Sequence, residues 1–272
     1  KFHQFTQSQP HFHHTSITFN KMLDVVGKAR NIDLLWNLLQ AIGRLRLVTT
    51  RTYIIALKVL ASARELKKCV ELFHIMNGLG FVCSLDTLNK VVEALCKGKL
   101  VLEANHVVVK LKDIIRPNWI TYRWLIYGFC DVGNLIEASK LWNLMVDEGF
   151  EPDIDTVEIM LETLFKNNKF GDGMKLFQSM RVKRMDDLGV STYRLVIHWL
   201  CKKGKLGESY VVFEEMRERG IKPDNATLGS IVYGLMSRGR VREAYKVVDG
   251  IEEPDISVYH GMIKGLLRLK SA

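Results

Sequence analysis

A threonine recurs at nearly constant spacing along most of this chain. Seven threonines are separated by 34, 35, 34, 35, 36 and 35 residues: Thr18, Thr52, Thr87, Thr121, Thr156, Thr192 and Thr227. Self-similarity at this period is the signature of stacked helical repeats, each of which buries its apolar face on its neighbours. These evenly spaced copies of one segment therefore constrain the possible folds more than any other feature of the sequence.

The clearest copy covers residues 190–224, VSTYRLVIHWLCKKGKLGESYVVFEEMRERGIKPD. Apolar residues fall at helical spacing on both sides of a break at Gly204, and Gly220 and Pro223 end the second run. Thr192 is predicted to be the N-cap of the first helix. The predicted fold is all-α, a right-handed superhelical solenoid of helix–turn–helix repeats of about 35 residues.

The repeat register predicts the domain organisation. Residues 1–15 are expected to be a flexible N-terminal lead-in outside the repeats, although four of the eight histidines lie there. Complete units are predicted at 16–49, 50–84, 85–118, 119–153, 154–189, 190–224 and 225–255. A partial unit, 256–272, supplies one further helix, which is expected to be polar on its outer side because a terminal repeat faces solvent.

The charge balance indicates the kind of partner. The chain has 39 Lys and Arg against 30 Asp and Glu, a net charge of +9. A basic solenoid favours a polyanion, nucleic acid before an anionic membrane, although an inert basic surface stays an alternative. No apolar run approaches the roughly 18 residues that span a bilayer, so no membrane role is predicted.

Catalytic and metal-binding motifs are missing from the sequence. It contains no P-loop, no HExxH and no GxSxG, and its five cysteines form no CxxC pair. Cys96, Cys130 and Cys201 share position twelve of their units, which predicts small buried apolar residues rather than ligands. We therefore predict no enzymatic activity, no cofactor, no metal site and no small-molecule substrate.

Two units carry a family resemblance: WITYRWLIYGFCDVGNLIEASKLWNLMVDEGFEPD and the copy at 190–224. They resemble the pentatricopeptide repeat, in its P-type form of plain 35-residue units, and the resemblance covers residues 16 to about 272. It implies an RNA-binding protein of plant mitochondria or chloroplasts. It also implies that the first helices line a groove in which the fifth and last residues of a unit select one RNA base. The residue at position two would help to sandwich that base.

Carried over by position, the resemblance implies that few units can select a base. The candidate base-facing residues are Asn20 with Thr49, Asn89 with Asn118, Arg123 with Asp153, and Arg194 with Asp224. Only Asn89 with Asn118 forms a recognisable pair, of the pyrimidine-selecting type. The arginines are expected to point toward phosphate or a base edge, or else to be neutralised by their aspartates. Glu158 would repel phosphate, and Gly229 offers no side chain.

A second implied set of residues faces the RNA phosphates. A lysine recurs at position thirteen in four units, and position sixteen extends the row; the set is Lys28, Lys97, Lys166 and Lys202 with Lys169, Lys205 and Arg240. The alternative is that these are ordinary solvated cations of helix–turn–helix turns. The recurrence of one offset favours contact with RNA.

The resulting hypothesis is an organellar protein that binds RNA mainly through backbone charge and shape. Weak base selection suits a permanent structured partner, so a ribosomal-RNA-binding subunit of the mitochondrial ribosome is predicted, with ribosomal proteins as further partners. The location is expected to be mitochondrial, with the chloroplast as the alternative. The alternative functions are a factor specific for one organellar transcript and a protein-binding scaffold. Co-purification with ribosomal subunits, one transcript or RNA-free proteins separates the three.

Overall fold

Every regular element in the described part of the chain is helical. The structure, a computed structural model, describes residues 14–78, 81, 83–183 and 185–270. Those residues form fifteen α-helices and one 3₁₀ turn at Met185–Asp187, with no strand among them. The all-α repeat fold is thus confirmed. The predicted lead-in lies outside the described residues except for His14 and Thr15.

The helices alternate between the first and second member of each repeat. The first helices are α1 Ser16–Lys28, α3 Thr50–Ser62, α5 Leu85–Lys97, α7 Trp119–Asp131, α9 Ile154–Lys166, α11 Val190–Lys202, α13 Asn225–Met236 and α15 Ile256–Lys270. The second helices are α2 Ile32–Arg44, α4 Leu66–Gly78, α6 Val101–Leu111, α8 Leu135–Asp147, α10 Phe170–Lys183, α12 Leu206–Glu218 and α14 Val241–Asp249. Among these helices, none is both long and apolar enough to cross a membrane.

The chain divides into two compact units, one ending at Thr156 and the other beginning at Val157. In the first unit α1 packs on α3, α3 on α5 and α5 on α7, and each of them also packs on its own second helix. In the second unit α11 packs on α13 and α13 on α15 in the same manner. Within each unit these neighbouring helices pack on one another, as a repeat array requires. The handedness of the superhelix stays a prediction.

Several small residues of the second helices are buried. In four repeats the second helix carries one small residue that is fully buried: Ala104, Ala138, Ser209 and Ala244. Cys96, Cys130 and Cys201 are also buried, as the sequence predicts. Burial raises the pKa of the Cys96 thiol to about 12, which keeps it protonated and unreactive.

The first helices begin three residues earlier than the threonine pattern suggests. The prediction that Thr192 is an N-cap is wrong, because α11 starts at Val190 with Gly189 as its N-cap and Thr192 at the third helical position. Repeats whose last residue has a side chain that can cap a helix show why. Thr49 has extended backbone, and its side chain accepts from the N–H of Thr52, whose hydroxyl accepts from the N–H of Thr49 in return. This reciprocal capping box makes the last residue of one unit the cap of the next.

The turn between the two helices of a repeat requires a left-handed residue at position fifteen. The residues there are Arg30, Arg64, Lys99, Gly133, Asn168, Gly204 and Gly239, all with φ between 53° and 76°. This conformation costs a residue with a Cβ about 1–2 kcal/mol, whereas glycine adopts it freely. A cation at a helix C-terminus recovers only about 0.3–1 kcal/mol. Stability alone therefore favours glycine over Arg30, Arg64 and Lys99.

The last helix differs from its prediction. Its outer side is largely apolar, with exposed side chains at Ile256, Tyr259, Ile263, Leu266, Leu267 and Leu269 beside the exposed polar residues His260, Lys264, Arg268 and Lys270. The expectation of a polar outer side is wrong because α15 carries apolar residues around most of its circumference, and α13 covers one stripe. That stripe consists of Val258 and two glycines, Gly261 and Gly265.

Helices α13 and α15 touch through their backbones. A Cβ on Gly261 would lie 2.2 Å from the carbonyl oxygen of Gly229, and one on Gly229 would lie 2.5 Å from that of Ser257. Gly229 is the fifth residue of its unit, so the place that a base-selecting side chain would take is filled by α15. The missing side chain in that unit is therefore a packing requirement.

We predict that Gly261→Ala destabilises the second unit by about 1–3 kcal/mol, because the added methyl group must push two backbones apart. Gly207→Ala is the matched control: Gly207 also lies in a helix, but a Cβ there meets no atom within 4 Å. The control should be neutral or stabilising, since alanine is the better helix former. Urea unfolding monitored by circular dichroism measures both, and equal midpoints would contradict the packing account.

Candidate nucleic-acid interface

The fifth and last residues of a repeat meet in all four units where the sequence pairs them. The last residue caps the following first helix, and the fifth lies one turn into the preceding first helix, so side-by-side packing of these helices joins the two side chains. The contacts are Asn20 Nδ2 to Thr49 Oγ1 at 3.3 Å, Asn89 Nδ2 to Asn118 Oδ1 at 3.1 Å, Arg123 Nη1 to Asp153 Oδ2 at 3.1 Å, and Arg194 Nη1 to Asp224 Oδ2 at 2.7 Å.

The Asn89–Asn118 pair is organised by Thr121. The Thr121 hydroxyl donates to Asn89 Oδ1 at 2.6 Å, and Asn118 Oδ1 accepts from the Thr121 N–H at 3.2 Å. Asn89 is 7% exposed, so its carbonyl oxygen is satisfied inside the protein. The groups left for a ligand are amide N–H donors. Such donors complement acceptor atoms of a base, including pyrimidine carbonyl oxygens.

The first repeat repeats this arrangement with weaker chemistry. Thr52 Oγ1 donates to Asn20 Oδ1 at 2.8 Å, while Thr49 takes the place that Asn118 holds two units later. A threonine hydroxyl already engaged in a capping box offers less to a ligand than a carboxamide does. Asn20 with Thr49 is therefore the second-best equipped pair.

The two arginines are held by carboxylates. Arg123 lies 3.1 Å from Asp153 and 3.2 Å from Asp155, so one cation is shared by two anions. Arg194 donates to Asp224, whose other oxygen accepts from the N–H and hydroxyl of Thr227. Of the two roles that the sequence left open, the geometry favours neutralisation over contact with phosphate.

The environment of Asp224 supports its role as an acceptor. Partial burial is the largest single effect and raises its pKa, but the side-chain and backbone hydrogen bonds of Thr227 and the guanidinium of Arg194 together outweigh it. The pKa of Asp224 is therefore held below its ordinary value. Both oxygens are committed to partners within the chain, so little acceptor capacity remains for a base.

The fifth repeat lacks a last-position side chain, and Glu158 finds other partners. The hydroxyls of Ser191 and Thr192 donate to Glu158 Oε1 at 2.6 and 2.5 Å. Glu158 and Glu162 line a hollow of about 280 Å³ together with Arg194 and neighbouring residues. Two carboxylates at this surface repel a phosphate, which makes this repeat unfavourable for the RNA backbone.

The cations predicted to face phosphate are exposed, and most are paired with a carboxylate. Three of them pair with a carboxylate four residues earlier in the sequence: Lys28 with Asp24, Lys97 with Glu93, and Lys166 with Glu162. Two pair with a carboxylate three residues later: Lys205 with Glu208, and Arg240 with Glu243. Within the described ranges Lys169 and Lys202 form no ion pair. Exposed pairs of this kind are worth well under about 1 kcal/mol, so phosphates can displace their carboxylates.

An aromatic and cationic cluster joins α5 and α7, and the sequence analysis missed it. Lys97 Nζ lies 5.0 Å from the ring centre of Trp124, and the guanidinium of Arg123 lies 5.9 Å from Trp124 and 5.7 Å from Tyr127. Both rings are partly exposed. The signal was present, because Trp124 and Tyr127 are three residues apart and share a helix face. Aromatic faces of this kind stack bases without regard to sequence.

Comparison with known families gives two matches. The family model described as PPR repeat family matches residues 117–166 and 188–237. The model described as PPR repeat matches residues 51–81.

Curated relatives come from Arabidopsis thaliana. A pentatricopeptide repeat-containing protein is 54% identical over 273 residues, which cover 100% of this chain and 54% of that protein. A mitochondrial pentatricopeptide repeat-containing protein is 38% identical over 136 residues, 50% of this chain and 23% of that protein. The chain thus spans about half or less of the length of these relatives.

A solved structure shares the fold. The PPR domain of Arabidopsis thaliana protein-only RNase P 1, determined in complex with tRNA, superposes with a TM-score of 0.54 at 15% identity. The superposition covers 66% of this chain and 97% of that domain. At this level of identity the likeness concerns the fold.

We predict that Thr121→Val destabilises the chain by about 1–3 kcal/mol, because the buried Asn89 oxygen loses its donor. The double variant Asn89→Leu/Thr121→Val should cost less than the sum of the single variants, since it removes both partners and leaves no buried acceptor unpaired. The single variant Thr121→Val and the double variant both lose the capping contact of Thr121. That loss therefore cancels when the double variant is compared with the two single variants. Urea unfolding gives the free energies, and strict additivity would show that the bond does not organise this pair.

Proposed function

Because the chain belongs to the pentatricopeptide repeat family, we propose that it is an organellar RNA-binding protein of the P-type that holds RNA mainly through backbone charge and shape. In this proposal it acts as a binding protein without catalysis of its own. The observation that carries the proposal is the commitment of its fifth and last side chains to one another. Side chains that satisfy each other inside the chain have few groups left to distinguish bases.

The free polar groups support weak base selection. In the described repeats only the pair of Asn89 and Asn118 keeps amide donors for a base, with Asn20 and Thr49 behind it. Arg123 and Arg194 are occupied by aspartates, and Gly229 lies beneath α15. One well-equipped unit discriminates by roughly 1–3 kcal/mol, which is too little to select one transcript from many.

The remaining features favour contacts that every RNA offers. The net charge of +9 attracts the backbone, and the exposed cations at positions thirteen and sixteen can exchange their carboxylates for phosphates. The cluster of Lys97, Trp124 and Tyr127 offers a stacking surface that accepts any base. Charge and stacking supply affinity, and neither depends on sequence.

A permanent structured RNA is the partner that such a surface fits, and we propose ribosomal RNA of the mitochondrial ribosome. The mitochondrial designation of a curated relative supports the location. The repeat domain of RNase P 1 was solved with tRNA, so a repeat domain of this fold is known with a folded RNA. This form of the proposal requires that ribosomal subunits co-purify with the chain, and recovery of one messenger RNA instead would overturn it.

We predict that replacing Lys97, Lys166 and Lys202 together with Gln weakens binding of single-stranded RNA to a similar extent for all sequences. The slope of log affinity against log salt concentration should fall by about 0.7 for each lost phosphate contact, or about 2 in total. Fluorescence anisotropy with labelled RNAs of two unrelated sequences measures both effects.

The matched control replaces Lys110, Lys140 and Lys175 with Gln. These lysines are equally exposed, lie on second helices, and like the tested set include two that are paired with a carboxylate, Lys140 with Glu137 and Lys175 with Asp172. The control loses the same charge but should keep most of the slope. A slope that falls equally in both variants would assign the effect to net charge and overturn the phosphate-facing role.

A further inference from the structure

Three cations line the edge of the first unit where first helices turn into second helices. We name this surface the turn edge and define it as Arg30, Arg64 and Lys99, one from each of three successive repeats. All three are exposed. Lys99 lies 3.3 Å from Asp131, while Arg30 and Arg64 form no ion pair or side-chain hydrogen bond with any residue that the structure describes.

The backbone at the turn edge makes these cations unexpected. Each occupies the left-handed conformation that glycine adopts without strain, as Gly133 does in the fourth repeat. The electrostatic benefit at a helix C-terminus is smaller than the conformational penalty. Because the benefit that Arg30 and Arg64 bring to the folded chain is smaller than their backbone penalty, an external partner that uses their charge accounts for their presence.

Hollows open beside the cations. Arg30 lines one of about 220 Å³ with Lys28 and Lys58, and the one carboxylate there, Asp24, is paired with Lys28. Arg64 and Lys99 line a second hollow of about 490 Å³. The carboxylate of the second hollow is Glu103. Cations exceed carboxylates in both hollows, which suits an anionic group that enters from solvent.

The turn edge lacks groups that select bases. The carboxamide oxygens of Asn31 and Asn134 cap second helices by accepting from the N–H groups of Leu34 and Glu137. Phe129, which lines the second hollow, is fully buried. A surface that offers positive charge, whose carboxamide oxygens are engaged in caps and which has no exposed ring in these hollows, fits a nucleic acid whose bases are turned inward.

We propose that the turn edge binds the phosphate backbone of a base-paired RNA segment. The inference rests on the proposed function and adds a second surface to it, beside the positions that face single-stranded RNA. Neighbouring helices lie roughly 8–10 Å apart, so the three cations form a row that can follow one strand of a duplex. A folded RNA could then contact the first unit through a stem as well as through unpaired bases.

The test combines Arg30→Gly, Arg64→Gly and Lys99→Gly in the whole chain. Relief of the left-handed strain should raise the melting temperature, so weaker binding could not result from unfolding. Binding to an RNA hairpin with a long stem should weaken about tenfold, and the salt slope should fall by about 2 to 3. Binding to an unstructured RNA of equal length should change far less.

The control combines Lys110→Gln, Lys112→Gln and Lys140→Gln, which removes three charges from second helices of the same unit and the C-cap of one of them. Like the tested set it contains one cation paired with a carboxylate, Lys140 with Glu137, and two that form no ion pair among the described residues. Equal hairpin affinities for the two variants, or a lower melting temperature in the glycine variant, would overturn the inference. If the parent chain bound neither RNA, the proposed function itself would fail. If the parent chain bound the hairpin and the glycine variant bound it equally well, only the proposed role of the turn edge would be overturned.

Discussion

The structure depends on one recurring set of hydrogen bonds, made where consecutive first helices meet. The last residue of a repeat caps the next first helix, and a threonine at the third helical position returns the bond. In the second and fourth repeats the same threonine also donates to the fifth residue of the preceding repeat, as Thr52 does to Asn20 and Thr121 to Asn89. Helix initiation, packing between repeats and orientation of the base-facing side chain are therefore coupled through one hydroxyl.

This coupling limits the chemistry that the repeat can present to RNA. An oxygen that caps a helix has less capacity left to accept from a base, so the last residue enters recognition with part of its capacity already used. Where the fifth residue is an asparagine, as in Asn89 with Asn118, amide N–H donors remain free. Where it is an arginine, as in Arg194 with Asp224, the pair closes on itself. In the proposed function, affinity therefore comes from charge and stacking rather than from hydrogen bonds that distinguish bases.

The repeat period and the apolar pattern were enough to predict the helices, because both follow from local spacing. The helix starts were misjudged at Thr192 because Gly189 has no side chain to mark it as the cap. The choice between phosphate contact and ion pairing for Arg123 depended on Asp155, which lies in the next repeat. The cluster of Lys97 with Trp124 and the burial of Gly229 under α15 likewise arise from packing between helices. These features depend on contacts between repeats. The position of a residue within its own repeat does not reveal those contacts.

The central claim is that this chain binds RNA with little regard to sequence, and selection from a pool of random single-stranded RNAs tests it most directly. The account predicts that the bound RNAs share no extended motif and show at most a pyrimidine preference at one position. That preference should disappear when Asn89 and Asn118 are replaced by Ala, while the overall affinity stays within about tenfold. A sharp motif of about five or more bases would contradict the account, because that many selective repeats would need free polar groups that these side chains have already committed to one another.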